Sequence, residues 1–194
     1  MEEIDTGRPA TVPSGEATRP AVREIVCRDG ARVRLRPIRP DDAPRLIAFH
    51  DRLSRQTVYQ RFFVVVRRLS PDWAQRLTEV DHQRRVALVI ETGPPENPTL
   101  IAVARYEPSG EPGIVEVAFV VEDEWQGRGL GTVLFDELLR AAAARGFARF
   151  RAYVLADNGR MLDMITRFGT VLGRKLDGGV VTVDFVRPAG EGSA

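Results

Sequence analysis

A glycine-rich segment, residues 126–132, has the residue types and spacing of an anion-binding loop. It lies between an apolar strand pattern at 114–121 and a helical pattern at 130–145, and its sequence is Gln126-Gly127-Arg128-Gly129-Leu130-Gly131-Thr132. The first turn of a helix has backbone N–H groups without partners, so a glycine-rich turn that leads into a helix can bind phosphate groups. We therefore expect a phosphorylated ligand at this segment.

The spacing of the glycines disagrees with two common phosphate-binding loops. A nucleoside-triphosphate loop has a lysine before its Ser or Thr, whereas Thr132 follows Gly131 directly. A dinucleotide loop has the spacing G-x-G-x-x-G, whereas the glycines here are spaced G-x-G-x-G, with no clear parallel strand and ribose-binding acid downstream. A turn that binds nothing is also disfavoured, because helix starts prefer Ser, Thr, Asp or Asn as caps.

Glu116 is the only charged residue in the apolar strand pattern that precedes the loop. Alternation places Glu116, Ala118 and Val120 on one face of the strand, and the other face is apolar as well. A solvated glutamate would expose Ala118 and Val120 with it, so a pocket is the preferred explanation. A surface glutamate that pairs with an arginine is the alternative.

The elements around the loop predict a single α+β domain with a mixed, mostly antiparallel sheet and helices on both faces. Strand patterns follow one another before the loop and alternate with helical patterns after it. The expected strands are 31–36, 85–91, 100–106, 114–121, 149–155, and a closing hairpin or crossover pair at 170–172 and 180–185. The expected helices begin near residues 40, 70, 130 and 158.

The segment 126–131 resembles the Q/R-x-x-G-x-G/A pyrophosphate loop of the GNAT superfamily of N-acetyltransferases, which bind acetyl-coenzyme A. In that family the loop follows the fourth strand, and the fifth strand diverges from the fourth before a helix that begins near an asparagine. The patterns at 149–155 and Asn158 match, so the resemblance covers roughly residues 30–186. It implies acetyl-coenzyme A as co-substrate, no metal, and cofactor contacts from Phe119, Val120, Val121, Gln126, Gly127, Arg128, Gly129, Leu130, Gly131, Thr132 and Asn158.

The resemblance implies that Glu116 is the catalytic residue, because the family's lysine acetyltransferases have a general-base glutamate at this place on the strand. A lysine ammonium, whose pKa is about 10.4, must lose a proton before its nitrogen attacks a thioester. A glutamate whose pKa is raised by desolvation can accept that proton, directly or through water. Backbone N–H groups at 119–121 would polarise the thioester carbonyl, and the amine would attack directly in a ternary complex.

One family position departs from the pattern. Many GNAT enzymes have the helix motif N-x-x-A-x-x-L-Y, whose tyrosine protonates the departing thiolate. Counted from Asn158, the last three motif positions are Met161, Met164 and Ile165, so the usual general acid is missing. A thiol of pKa about 8.5 can leave as the anion, and Tyr153 or water is another possible proton donor.

The acceptor side of the sequence resembles bacterial GNAT enzymes that acetylate protein lysines. The segment 59–63 matches their Y-x-R-F-F pattern, and 77–81 with 86–88 match the next block. This resemblance implies a protein substrate with an exposed lysine, such as an acyl-CoA synthetase. Two alternatives stay open: a small-molecule amine acetyltransferase with an acidic pocket from Glu122, Asp123 and Glu124, and a non-catalytic coenzyme A-binding module.

Composition is that of a globular protein of one domain, with 194 residues, 43% hydrophobic residues and a net charge of +1. No basic block indicates nucleic acid and no apolar run indicates a membrane span, so the expected location is the cytoplasm; the oligomeric state stays open. We expect flexible tails at 1–22 and 188–194 around a domain at 23–187, with no room for a regulatory domain. His50 and His82 are expected to be structural or surface residues, and the single Cys27 excludes an internal disulfide and is not expected to form a covalent intermediate.

Overall fold

The computed structural model describes residues 22–188, which form one eight-stranded sheet with helices on both faces. The expected tails therefore lie, except for Val22 and Pro188, outside the described residues. The strands are β1 (Arg23–Val26), β2 (Arg32–Pro37), β3 (Val86–Thr92), β4 (Thr99–Pro108), β5 (Ile114–Val121), β6 (Arg149–Leu155), β7 (Thr170–Asp177) and β8 (Val180–Val186). The α-helices are α1 (Ala43–Arg52), α2 (Arg55–Phe62), α3 (Pro71–Thr78), α4 (Leu130–Ala143) and α5 (Gly159–Phe168).

The strand order in the sheet is β1-β2-β3-β4-β5-β6-β8-β7, and every neighbouring pair is antiparallel except β5 and β6. The parallel pairing of β5 with β6 extends only from Ile114 opposite Arg149 to Glu116 opposite Arg151. Beyond Glu116 the two strands separate, so a gap opens in the middle of the sheet. The expected mixed, mostly antiparallel sheet and the divergence after β5 are both confirmed.

Two apolar cores cover the two faces of this sheet. One core contains α4 and α5, with Leu134, Phe135 and Leu138 buried against β3, β5 and β6. The other contains α1 and α3, with Phe49 and Ala74 buried against β3 and β4. Because both faces are covered, β3 and β4 are buried along most of their length and have no clear polar alternation.

Two elements differ from the sequence-based expectation. Residues 23–26 form the additional edge strand β1, and residues 55–62 form the additional helix α2, which Ser54 caps by accepting a hydrogen bond from the Thr57 N–H at 3.1 Å. The cluster at 59–63 therefore belongs to a helix and its end rather than to a connecting segment. Tyr59 is 45% exposed, so it is a surface residue rather than part of the core. Within residues 22–188, no helix is long and apolar enough to cross a membrane.

Candidate active site

A cleft of about 920 Å³ lies where β5 and β6 separate. Its walls come from β5, the glycine-rich loop, α2, the end of β6 and the start of α5. The cleft brings together most of the residues predicted from the sequence: Glu116, Phe119, Val120, Val121, Gln126, Gly127, Gly129, Gly131, Thr132 and Asn158. These residues span more than forty positions of the chain, and they line one cleft because β5 and β6 separate.

The loop presents backbone N–H groups to this cleft. Gly127 and Gly129 have φ values of 77° and 93°, in the left-handed region that favours glycine. Gly129 is the N-cap residue of α4 and supplies no side-chain cap, so the N–H groups of the first helical turn are available to an anion. A Cβ atom on Gly131 would lie 3.4 Å from Phe119 Cε2, so a larger residue would crowd the junction of loop and strand.

Arg28 adds a positive charge beside the loop, and no sequence pattern predicts it there. It follows β1, and its N–H donates to the Arg128 carbonyl at 3.4 Å. A Cβ atom on Gly129 would meet the Arg28 Nε at 3.5 Å, which places the guanidinium against the anion-binding turn. Only the long-range approach of the β1–β2 connection brings Arg28 to this place.

Arg128 and Leu130 have side chains that point away from the cleft. The Arg128 guanidinium pairs with Asp29 at 2.7 Å and stacks over the Trp125 ring at 4.5 Å. Leu130 is buried in the core beneath α4. Any contact of Leu130 with a cofactor would therefore be made by its backbone, and the phosphate contact of Arg128 stays a prediction.

Glu122 and Asp123, which precede the loop, bind side chains of α1 and α2 and of Ser54 between them. Buried Glu122 pairs with Arg52 at 2.7 Å, and Asp123 accepts hydrogen bonds from the Ser54 N–H and hydroxyl and from the Thr57 hydroxyl. These bonds outweigh partial burial and lower the pKa of Asp123. The two carboxylates are thus already engaged within the fold, which argues against the acidic acceptor pocket considered from the sequence.

The Gln126 side chain connects the loop to the end of β5 by a hydrogen bond. Its side-chain Nε2 donates to the Val121 carbonyl at 3.1 Å and lies 3.4 Å from the Thr57 hydroxyl oxygen. The first residue of the loop motif therefore has a structural contact of its own, between the strand and α2. This contact fixes where the following glycines begin.

Glu116 is half-buried in the cleft, and its side-chain carboxylate makes no hydrogen bond or ion pair with any residue in the described range 22–188. Burial raises its pKa, and the facing carboxylate of Glu107 raises it further, while Arg61, Arg105 and Arg151 oppose the shift. Two of these arginines have other partners: Arg105 pairs with Glu107 at 2.5 Å and Arg151 with Asp184 at 2.6 Å. The alternative of a surface glutamate paired with an arginine does not fit this geometry.

The opposite wall of the cleft is formed by α5 and β6. Asn158 caps α5, and its Oδ1 accepts from the Met161 N–H at 3.2 Å. Ile165, which occupies the place of the family tyrosine, is fully buried in the core and does not line the cleft. Tyr153 on β6 is exposed and does line it.

Helix α2, which the sequence pattern did not reveal, forms part of the wall of the cleft. Gln56, Gln60 and Arg61 line the cleft, and Phe63 follows at the end of the helix. Burial and the like charge of Arg105 lower the pKa of Arg61 to about 10, so its guanidinium is still charged at neutral pH. The resemblance of segment 59–63 to a family pattern was the one signal that pointed to this region.

Comparisons with known proteins identify the family. The family described as "Acetyltransferase (GNAT) domain" matches residues 32–171. Acetyltransferase PA5475 of Pseudomonas aeruginosa is 34% identical over 146 residues, which are 74% of this chain and 77% of that protein. Acetyltransferase Pat of Mycolicibacterium smegmatis is 36% identical over 165 residues, 84% of this chain; the match spans about half (49%) of Pat's length.

A solved structure agrees with this assignment along nearly its whole length. The GNAT domain of S. lividans PAT superposes with a TM-score of 0.76 and is 36% identical, over 85% of this chain and 96% of that domain. The family match covers the loop, the diverging strands and Glu116 in one continuous stretch. The chain therefore belongs to the GNAT superfamily of N-acetyltransferases.

Proposed function

We propose that this enzyme transfers the acetyl group of acetyl-coenzyme A to the side chain of a protein lysine, with Glu116 as the general base. The observation that carries this proposal is the unpaired, half-buried carboxylate of Glu116 at the point where β5 and β6 part. A carboxylate that has no salt-bridge partner and a raised pKa is suited to accept a proton from an ammonium group. The same cleft contains the phosphate-binding turn.

The part of β5 that follows Glu116 has backbone N–H groups that can bind the acyl donor. In an antiparallel pair, only alternate residues direct their N–H and C=O groups to the neighbouring strand. The Glu122 N–H donates to the Ile101 carbonyl next to β4, so alternation directs the N–H groups of Val121 and Phe119 into the gap. These donors can bind the pantetheine arm and polarise a thioester carbonyl. The cofactor contacts of Val120, Thr132 and Asn158 are part of the same proposal.

In this proposal, a carboxylate accepts the ammonium proton and coenzyme A leaves as a thiolate or a thiol. Glu116 accepts the ammonium proton, directly or through water, and the freed amine nitrogen attacks the thioester carbonyl. The C–S bond breaks and the electron pair leaves with the sulfur. Ile165 cannot protonate that sulfur, so the thiolate leaves as the anion or takes a proton from Tyr153, the phenol that lines the cleft.

A protein acceptor is supported by exposed apolar residues on and just after α2 and by the relatives. Tyr59, Val64 and Val65 are exposed on α2 and just after it, an apolar surface of the kind that protein partners cover. Pat of M. smegmatis and PAT of S. lividans are both about 36% identical to this chain. We propose a protein with an exposed lysine as the substrate, an acyl-CoA synthetase being one candidate, and the cytoplasm as the location.

The experiment that tests this function measures free thiol released from acetyl-coenzyme A with a cell extract separated into proteins and small molecules. Wild type is compared with Glu116→Gln and with the control Glu79→Gln. Glu79 is an exposed residue that caps the C-terminus of α3. Release with the protein fraction that is lost only in Glu116→Gln supports the proposal. Release with small molecules alone indicates a different acceptor class, and cofactor binding without any turnover indicates a non-catalytic module.

A further inference from the structure

A small, partly open cavity lies behind the acceptor side of the cleft, between β4, β5 and helices α1, α2 and α3. Its volume is about 40 Å³. It shares Arg61, Ala118 and Val120 with the main cleft, so the two spaces adjoin at the face of β5 that also carries Glu116. The remaining walls are mostly apolar and include Leu46, Phe49, Leu69 and Val103.

Polar side chains that lack partners converge on this cavity. His50 is 4% exposed, and neither ring nitrogen makes a hydrogen bond within the described part of the chain; the Asp51 carboxylate lies 3.9 Å away, too far for one. Arg105 is 8% exposed, and its Nε has no partner among residues 22–188 although its Nη2 pairs with Glu107. Buried polar groups nearly always have partners, so this convergence indicates that an acceptor belongs in the cavity.

Arg61 adds a charge to the same place. Its guanidinium makes no hydrogen bond or ion pair with any of residues 22–188, although it lies over the Phe62 ring at 5.0 Å. Glu107 is already held by Arg105, and Glu116 acts on Arg61 only through space. Arg61 is therefore a guanidinium without a contacting carboxylate, beside two further nitrogen-bearing side chains. Burial lowers the pKa of His50, so its neutral ring offers one N–H donor at neutral pH.

The size of the cavity limits what the acceptor can be. A water-sized probe occupies about 11–15 Å³, so 40 Å³ holds about three atoms of that size. A carboxylate has three heavy atoms, and the apolar walls suit one or two methylene groups that connect it to the cleft. The adjoining cleft is where the thioester would lie, because Val120 belongs to both spaces.

We propose that this cavity binds the terminal carboxylate of a short dicarboxylic acyl group, so that the enzyme also transfers malonyl or succinyl groups from coenzyme A. This inference rests on the proposed acyl transfer to lysine. Arg61, His50 and the Arg105 Nε supply the donors, and the terminal carboxylate supplies the missing acceptor.

The transfer itself is the same as for acetyl. The amine nitrogen forms a bond to the thioester carbonyl carbon, Glu116 takes the ammonium proton, and the C–S bond breaks with its electron pair leaving on sulfur. The terminal carboxylate is unchanged in the step, and the product is a lysine amide that carries a negative charge. No oxidant, reductant or other reactant is required.

The test compares acyl-coenzyme A donors in the wild-type enzyme, with kcat/KM from thiol release and Kd from calorimetry without acceptor. The informative pair is succinyl-coenzyme A and 4-methylpentanoyl-coenzyme A, which has the same branched shape without charge. We expect succinyl-coenzyme A to have a kcat/KM about 10- to 100-fold higher, and a Kd about 10- to 100-fold lower, than its uncharged isostere, which is the contribution of charge-assisted hydrogen bonds. Malonyl should also react, and the longer glutaryl should react poorly.

Substitutions assign the effect to the cavity. Arg61→Met and His50→Leu should each reduce the ratio of succinyl to acetyl use, whereas Arg76→Met, an exposed arginine of α3, should leave the ratio unchanged. Because each variant is judged by a ratio, a general loss of activity or folding does not imitate the expected result. Melting temperature with bound succinyl-coenzyme A gives a second readout.

Three outcomes would overturn the inference. Preference for 4-methylpentanoyl-coenzyme A would show that the cavity binds an alkyl chain. Equal use of the succinyl and 4-methylpentanoyl donors would show that the cavity holds water. An unchanged ratio of succinyl to acetyl use in Arg61→Met would show that the carboxylate binds elsewhere. These results are distinct from failure of the proposed function, in which acetyl-coenzyme A itself would give no thiol release with proteins.

Discussion

Replacement of Glu107 by glutamine should make the enzyme active at lower pH. Glu107 lies directly opposite Glu116 in the β4–β5 pair, and both side chains are on the same face of the sheet. Burial raises the pKa of Glu116, and the negative charge of Glu107 raises it further. Glu107→Gln removes that charge and also releases Arg105, which then favours the Glu116 carboxylate more strongly. Both effects lower the pKa of Glu116.

The size of the shift follows from the strand geometry. Residues opposite each other in an antiparallel pair have Cα atoms about 5.5 Å apart, and two charges about 6 Å apart interact by about 3 kcal/mol at an effective dielectric constant of about 20. The Glu107 side chain is 43% exposed, so screening by solvent reduces this to about 1 kcal/mol. That energy corresponds to about 0.7 pH unit.

The assay is the pH dependence of kcat/KM for acetyl-coenzyme A with one lysine acceptor, between about pH 5.5 and 9. A general base works only when deprotonated, so activity falls as pH decreases through its pKa; a lower pKa moves this acidic limb to lower pH. The acceptor titrates identically with both enzymes, so its ionisation cancels in the difference. Glu79→Gln is the control. An acidic limb that stays in place or moves to higher pH would refute Glu116 as the titrating base.

Further predictions concern the phosphate turn, the fold and the proton donor. Gly131→Val should raise the KM for acetyl-coenzyme A by about 10-fold or more in initial-rate assays, because its Cβ would be 3.4 Å from Phe119 Cε2 at the anion site. Gly169→Ala should lower stability by about 1–3 kcal/mol in urea unfolding, because its Cβ would lie 2.5 Å from Phe185 Cδ2 in the core. Arg36→Met should cost about 3–5 kcal/mol near neutral pH, because buried Asp42 and Glu91 would both lose their contacts with Arg36, at 2.7 and 2.6 Å, and would keep, among residues 22–188, only Arg45 and Arg34 as charged partners. Although burial opposes it, Arg36 holds the pKa of Asp42 below its usual value, so wild-type stability should be lost as pH falls through the acid range, and urea titrations at low pH should show a smaller difference between the two proteins. Tyr153→Phe should lower kcat for acetyl transfer if the phenol protonates the thiolate, and an unchanged kcat would assign departure to the free anion.

Much of the framework was predictable because its boundaries have local signals. Strands β5 and β6 begin and end at the residues expected from their apolar runs, and the asparagine cap of α5 was placed correctly. Helix α2 was missed because only Thr57 and Val58 of its eight residues are buried, which leaves almost no apolar periodicity. Strand β1 was missed because a short, exposed edge strand lacks a buried face.

The charges around the site could not be predicted from the sequence, because they depend on long-range pairing. Arg28 reaches the loop only through the approach of the β1–β2 connection to Arg128, and Arg61 reaches β5 only because α2 crosses it. The acids Glu122 and Asp123 illustrate the opposite case. Their sequence position suggests an acceptor pocket, yet Glu122 pairs with Arg52, and Asp123 accepts a hydrogen bond from Ser54, the N-cap residue of α2.

In the proposed mechanism, the separation of β5 from β6 at Glu116 lets one strand supply both the base and the donors to the thioester. Up to Glu116 the strand is paired on both sides, which fixes the position of the carboxylate against Glu107 and Arg151. Beyond it, the N–H groups that β6 would have used are left without a strand partner, and these are the groups available to a thioester. A change that extended the β5–β6 pairing by two residues would therefore remove the donors while leaving the base in place. Acetyl transfer should be lost in such a protein although Glu116 kept its raised pKa.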